Sequence, residues 1–213
     1  MNVSRESLEK LKAYEALLHK WQKAVNLVSP NTLNEAWTRH FEDSLQLLPV
    51  ILSVSEESKN PSVAALSHDD KKPLTLFDLG SGAGFPGLVL AIARPDINVH
   101  LVESDSKKCS FLKTVSRESS TPVTVHTARI ESVDSESVPD VITARALASL
   151  DKLLGWCAKW ADENPDLTMI FLKGEKTQEE ITEARLSYSF DCKIIDSKTD
   201  PSGKILVITN LKS

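Results

Sequence analysis

The segment with the clearest chemical purpose is Leu76-Phe77-Asp78-Leu79-Gly80-Ser81-Gly82-Ala83-Gly84-Phe85-Pro86-Gly87, an apolar run that passes through three alternating glycines into a helical pattern. Gly80, Gly82 and Gly84 let a backbone turn tightly and approach a ligand, and the helix that follows offers unpaired N–H groups. A strand-loop-helix of this kind holds a nucleotide-type ligand, and two ligand classes fit its pattern. Counted from Gly82, the residues satisfy the dinucleotide fingerprint, with Glu103 about 20 residues further on, where a carboxylate meets an adenosine ribose. Asp78, at the mouth of the loop, opposes an anionic pyrophosphate but suits the cationic ammonium and sulfonium of S-adenosylmethionine. Charge therefore favours the methyl donor, Glu103 serves either ligand, and an NAD-dependent oxidoreductase stands as the alternative.

The remaining reactive residues narrow the acceptor. Methylation of adenine or cytosine amines commonly uses an acid or amide before paired prolines and an aromatic, after the fourth strand of such a sheet. That place reads Ile142-Thr143-Ala144-Arg145-Ala146-Leu147, and no two prolines are adjacent anywhere. Carbon methylation of pyrimidines needs a cysteine nucleophile, but Cys109 and Cys157 fall inside helical patterns and Cys192 in a late strand, where packing is expected. What remains is transfer to an atom with a free lone pair, or to an oxygen or small molecule with a dedicated base; guanine N7 is of the first kind, carrying no proton, so its alkylation needs alignment and a suitable electrostatic setting rather than a base. None of His19, His40, His68, His100 or His126 has an evident orienting partner in the sequence. Arg145 ends the fourth strand and Lys173 the fifth, at the carboxyl edge where open α/β sheets bind ligands, and together they are expected to form a local basic patch that grips phosphate or base. Trp156 and Trp160, one helical turn apart, and Trp21 are read as core.

The elements that place these residues follow from periodicity. From Ser4 to about Val25, Leu8, Leu11, Tyr14, Leu18, Trp21 and Val25 mark one face of a helix, and Ser29-Pro30-Asn31-Thr32 starts a second with Leu33, Trp37, Phe41, Leu45 and Leu48, interrupted at Pro49. Residues 1–52 are thus expected to be an N-terminal helical pair, 53–73 a polar loop or linker, and 74–213 the main domain. Strands are expected at Leu74 to Asp78, Val99 to Val102, Val123 to His126, Val141 to Thr143 and Leu167 to Leu172. Helices are expected at Gly87 to Ala93, Lys107 to Arg117 and Leu150 to Trp160. This is the rhythm of a parallel α/β sheet. A helix near Thr177 to Leu186 precedes Ser189 to Ile195 and Ile205 to Thr209, which read as an antiparallel hairpin at one sheet edge.

Composition sets the outer bounds. The 213 residues suit one substantial domain with at most a small appendage, and 41% hydrophobic with 26% charged residues is globular. No apolar run approaches the ~18 residues of a membrane span, and the acidic N-terminus reads as no signal peptide. Three widely spaced cysteines suggest neither a disulfide framework nor a zinc site, so a reducing cytoplasm, no membrane and no metal are expected. The net charge of −5 argues against a general polyanion binder. The first 52 residues hold six basic and six acidic side chains, so the acidic surplus lies beyond them.

The collected residues resemble the bacterial small-subunit (16S) ribosomal RNA guanine-N7 methyltransferase family, also called glucose-inhibited division protein B, over nearly the whole chain. The blocks that carry the resemblance are Trp21 to Leu27, Arg39-His40-Phe41-Glu42-Asp43-Ser44-Leu45, Asp78 to Gly87, Arg129-Ile130-Glu131, Arg145-Ala146-Leu147-Ala148-Ser149-Leu150 and Leu172-Lys173-Gly174. It implies a class I S-adenosylmethionine-dependent methyltransferase fold: Rossmann-like, seven-stranded, mostly parallel, with an antiparallel C-terminal pair. It implies methylation of a guanine N7 in the decoding-region loop of 16S ribosomal RNA, within the small ribosomal subunit or its assembly intermediate. It matches cofactor positions at Gly80, Phe85, Ile130 and Glu131, beside Asp78, Gly82, Gly84 and Glu103 from the loop reading. Arg145 matches as the basic residue next to cofactor and substrate. Glu103 stands where relatives often have Asp, which keeps the carboxylate and lengthens its arm. A third reading, a methyltransferase-like RNA-binding module using the helical pair as its interaction surface, is weakened by the retained donor loop.

Overall fold

The computed structural model describes residues 3–57, 72–133 and 137–212. Seven strands, β1 (Thr75–Leu79), β2 (Asn98–Glu103), β3 (Thr124–Thr127), β4 (Val141–Arg145), β5 (Thr168–Lys173), β6 (Ser189–Asp196) and β7 (Lys204–Lys212), lie in the order β3-β2-β1-β4-β5-β7-β6. The pairs among β1 to β5 are parallel, whereas β7 runs antiparallel to both β5 and β6. The α/β expectation and its closing hairpin are therefore met, and the strand order reverses between β1 and β4, the crevice where open sheets bind ligands.

All five residues of β1 are buried because helices cover both faces. Leu76 joins a core on one side with α1 (Arg5–Gln22), α5 (Gly87–Ala93) and α6 (Ser106–Glu118). Phe77 and Leu79 face the other core, under α7 (Leu150–Glu163) and α8 (Thr177–Ala184). Helix α1 starts where the Ser4 hydroxyl accepts the Ser7 N–H at 3.0 Å, and its Leu11, Tyr14 and Leu18, three and four residues apart, are fully buried. At about 1.5 to 3 kcal/mol per fully buried large side chain, this face contributes more to docking the helix than its caps do.

The second N-terminal helix is not continuous as expected. Helix α2 (Pro30–Leu33) is a single turn, a widened π-helical stretch Trp37–Glu42 runs into α3 (Asp43–Leu45), and α4 (Leu48–Glu57) follows. Pro49 lies in the first turn of α4, where no N–H partner is needed, so it does not end the helix. The expected linker therefore begins later than Ser53, since α4 continues to Glu57, and 58–71, His68 included, lies outside the described residues.

The N-terminal segment packs directly on the glycine loop. The Tyr14 hydroxyl donates to the Ala83 carbonyl, its ring stacks on Phe85 at 5.5 Å and 7°, and Phe41 meets both rings edge-on at 5.0 and 5.1 Å. Gly84 is where this contact is tightest: its φ is +94°, and a Cβ there would lie 2.5 Å from the Tyr14 hydroxyl and 2.9 Å from Leu88 Cβ. We expect Gly84→Ala to lower stability by about 3 kcal/mol from backbone strain and overpacking together. Urea unfolding checks this, and an unchanged midpoint would contradict it.

Candidate active site

A cavity of about 530 Å³ opens at the carboxyl ends of β1, β4 and β5, within the range of small-molecule sites. Its floor is the glycine loop, through Gly80, Gly82 and Phe85; Arg145 and Lys173 stand on the strand ends. His40 and Asp43 of the N-terminal segment form one wall, and Thr199 and Asp200 of the β6–β7 turn form another. Of the residues expected at the site, Gly80, Gly82, Phe85, Arg145 and Lys173 line this cavity; Asp78, Gly84, Glu103, Ile130 and Glu131 do not.

Asp78 corrects the charge argument. Its side chain is fully buried beneath the loop, where Oδ1 accepts the Thr143 hydroxyl at 2.8 Å and Oδ2 accepts the Gly87 N–H at 3.1 Å. Strand alternation turns it toward α5 together with Leu76, and Gly87 admits it, because a Cβ there would lie 2.5 Å from Asp78 Cβ. Burial pushes its pKa up to about 6, outweighing the hydrogen bonds from Thr143, Gly87 and Ser81 that pull the other way. Asp78 thus clasps the loop to the helix and does not line the cavity.

Glu103, at the end of β2, accepts the Gly82 N–H at 2.9 Å with one oxygen and the Asp105 N–H at 2.8 Å with the other, so the acid and the glycine turn are in contact. Beyond β3, Ile130 is buried in the core on a 3-10 turn and Glu131 beside it is exposed.

Arg145 is held from one end. Its Nη1 donates to the Arg39 carbonyl at 3.0 Å, His40 Nδ1 at 3.1 Å and Asp43 Oδ2 at 3.2 Å, and the guanidinium lies 5.2 Å over the Phe85 ring. His40 is buried, and burial with the Arg145 charge lowers its pKa to about 4. It is therefore neutral near pH 7 and able to accept at Nδ1, while Nε2 lies 3.0 Å from the Thr32 hydroxyl. Lys173 is 7% exposed and donates to Glu180 Oε2 and the Ala148 carbonyl, each at 2.6 Å. Both cations are paired, Arg145 with Asp43 and Lys173 with Glu180, so any basic patch they form is partly neutralised. Lys173 ties the segment after β4 and helix α8 to the end of β5.

In the sequence His40 stands as an isolated histidine, and nothing there marks a role for Asp43, Glu180 or Thr199. The only sign was the Arg39 to Leu45 block, noticed through resemblance, because these partners lie more than a hundred residues from Arg145 or Asp43 in most cases. The cysteine reading agrees with what is seen: Cys109 and Cys157 are buried and Cys192 is half-buried, with burial raising the thiol pKa of Cys157 and Cys192. Trp160 is core, edge-on to Phe77 at 5.6 Å, and Trp21 packs against Phe111.

The family profile described as rRNA small subunit methyltransferase G (GidB) matches residues 7–203. The chain belongs to this family. It is 45% identical to Ribosomal RNA small subunit methyltransferase G of Parvibaculum lavamentivorans over 99% of this chain and 86% of that protein. It is 47% identical to the protein of the same name from Paramagnetospirillum magneticum, over 96% and 89%. The fold matches magnesium protoporphyrin IX methyltransferase from Synechocystis with a TM-score of 0.56, covering 94% and 97% of the two chains at 10% identity. The class I methyltransferase fold expected from the methyltransferase G resemblance is therefore present. These matches decide against the oxidoreductase alternative, where the Asp78 charge does not.

The pH dependence of the clasp is open to measurement. The folded pKa of Asp78, about 6, lies above the ordinary 3.8, so its contribution to stability is full below about pH 4 and lost as pH rises through 6. Asp78→Asn cannot titrate, yet offers one acceptor to Gly87 and one donor to Thr143. Its stability relative to the parent is expected to rise by about 3 kcal/mol between pH 4 and 6 and then level off. Urea unfolding at a series of pH values checks this; a flat difference would contradict it.

Proposed function

We propose that this chain transfers a methyl group from S-adenosylmethionine to N7 of a guanine in the decoding-region loop of 16S ribosomal RNA. The observation that carries the reading is the match of residues 7–203 to the methyltransferase G family, combined with a cavity floored by that family's glycine turn and walled by Arg145. The residues present suit the cofactor. Gly80 and Gly82 take positive φ and line the cavity at the end of β1, and the carboxylate of Glu103 adjoins the turn, where ribose hydroxyls are recognised. Ile130 and Glu131 follow β3, on the side proposed for the adenine ring. Bound there, S-adenosylmethionine supplies an electrophilic methyl that an unprotonated ring nitrogen takes directly.

The protein's own task is then orientation. No proton has to leave N7, which agrees with a cavity whose histidine is neutral and engaged by Arg145 and whose carboxylates Asp43, Glu180 and Asp200 are paired with cations. The Arg145 Nε and Nη2 groups make no hydrogen bond to a described residue. They are donors left to a ligand of this cavity, suited to a phosphate or carbonyl oxygen of the substrate nucleotide. With Lys173 paired and the net charge at −5, bare RNA is a weak ligand, and the small subunit or an assembly intermediate is the substrate we propose.

Incubating the protein with methyl-labelled donor and small subunits that lack the modification should label one guanine at N7. Label on another base or atom, or none, would overturn the proposal. Arg145→Ala should reduce turnover by about tenfold or more, with donor affinity by calorimetry changed far less.

A further inference from the structure

The carboxylate of Asp43 joins three parts of the chain that are remote in sequence. Oδ2 accepts Arg145 Nη1 at 3.2 Å, while Oδ1 accepts the Thr199 hydroxyl at 2.6 Å and the Gln46 side-chain amide at 2.7 Å. The pair is well shielded, with side-chain exposures of 18% for Arg145 and 15% for Asp43, so its attraction is screened less than that of a surface pair. Gln46 extends the junction into the β6–β7 turn, contacting Ser197 and Thr199 and accepting the Lys198 N–H at 2.8 Å.

The division of donors on Arg145 gives this junction a purpose. Three acceptors converge on Nη1 alone, from Arg39, His40 and Asp43, and Asp43 supplies the only negative charge among them. A long arginine side chain carries about 2 kcal/mol of rotamer entropy, and fixing one nitrogen while Phe85 lies under the plane removes that freedom before any ligand arrives. Nε and Nη2, which make no hydrogen bond to a described residue, are then left as a fork for a ligand of the cavity that Arg145 lines.

We propose that Asp43 is a positioning residue that acts through Arg145, holding its guanidinium by Nη1 so that Nε and Nη2 meet the substrate nucleotide. The inference rests on the methyl-transfer reading above. A residue that merely latches the N-terminal segment to the β6–β7 turn would use the same Oδ1 bonds, so the test has to separate the two roles.

A double-mutant cycle does so, with methyl transfer to undermethylated small subunits as the readout. Asp43→Ala should reduce turnover about tenfold or more in the parent, with donor affinity within about twofold, but change turnover less than about twofold when Arg145 is already alanine. An equal loss in both backgrounds would overturn the proposal. Should Asp43→Ala fail to fold, Asp43→Asn replaces it in the same cycle, keeping an acceptor for Thr199 while removing the charge at Arg145. Gln46→Ala removes the bonds from Gln46 to Asp43 and to the β6–β7 turn while leaving Asp43 its Thr199 and Arg145 partners; it should lower the melting temperature and keep turnover within about twofold of the parent. A turnover loss as large as that of Asp43→Asn would instead assign Asp43 to the latch. If the parent protein transfers no methyl group, the functional reading itself fails; if it does and the effects add, only the positioning role fails.

Discussion

The aromatic cluster of Tyr14, Phe41 and Phe85 is the contact on which the strand-end architecture depends. It fixes the N-terminal segment over the glycine loop, and without that segment Arg145 would have neither its acceptors nor its cover. Each aromatic pair adds roughly 0.5 to 1.5 kcal/mol beyond the apolar area it buries, and the rings share partners, so the cluster acts as a unit. The extension and the sheet therefore share one core, with Leu11, Leu18 and Leu45 packed in the same cluster as Leu76, Leu88 and Leu101.

Electrostatics at the strand ends is arranged as closed pairs instead of an open positive field. Asp78 is sealed below the loop, Arg145 meets Asp43, and Lys173 meets Glu180. Burial decides the outcome at Asp78 and His40, raising one pKa to about 6 and lowering the other to about 4. At Arg145 the geometry of the fork decides it, because one nitrogen is saturated while the other two donors stay open. An acidic protein with few free cations at its site suits a substrate recognised by assembled shape more than by phosphate charge.

Periodicity carried the fold well. The alternation of short apolar strands with helical segments, and the polar turn at Asp200 to Gly203, placed all seven strands and the four helices between and after them to within a few residues. It placed α1 but failed beyond it in the N-terminal segment, where Pro30 and Pro49 each lie in the first turn of a helix and the π-helical stretch resets the phase between Leu33 and Asp43. The site was readable only in part. The glycine loop, Arg145 and Lys173 announce themselves by residue type and place at strand ends. Whether Asp78 faces a ligand or the core depends on a missing side chain at Gly87, and whether a cation is free depends on partners such as Asp43 and Glu180, which only the fold brings near.

The central claim is that the cavity between the glycine turn and Arg145 is where donor and acceptor meet. A crystal structure with S-adenosylhomocysteine tests it most directly. The sulfur is expected over the Gly80–Gly82 turn, pointing toward Arg145, with the ribose against Glu103. The product bound elsewhere, or with its sulfur turned away from this cavity, would contradict it.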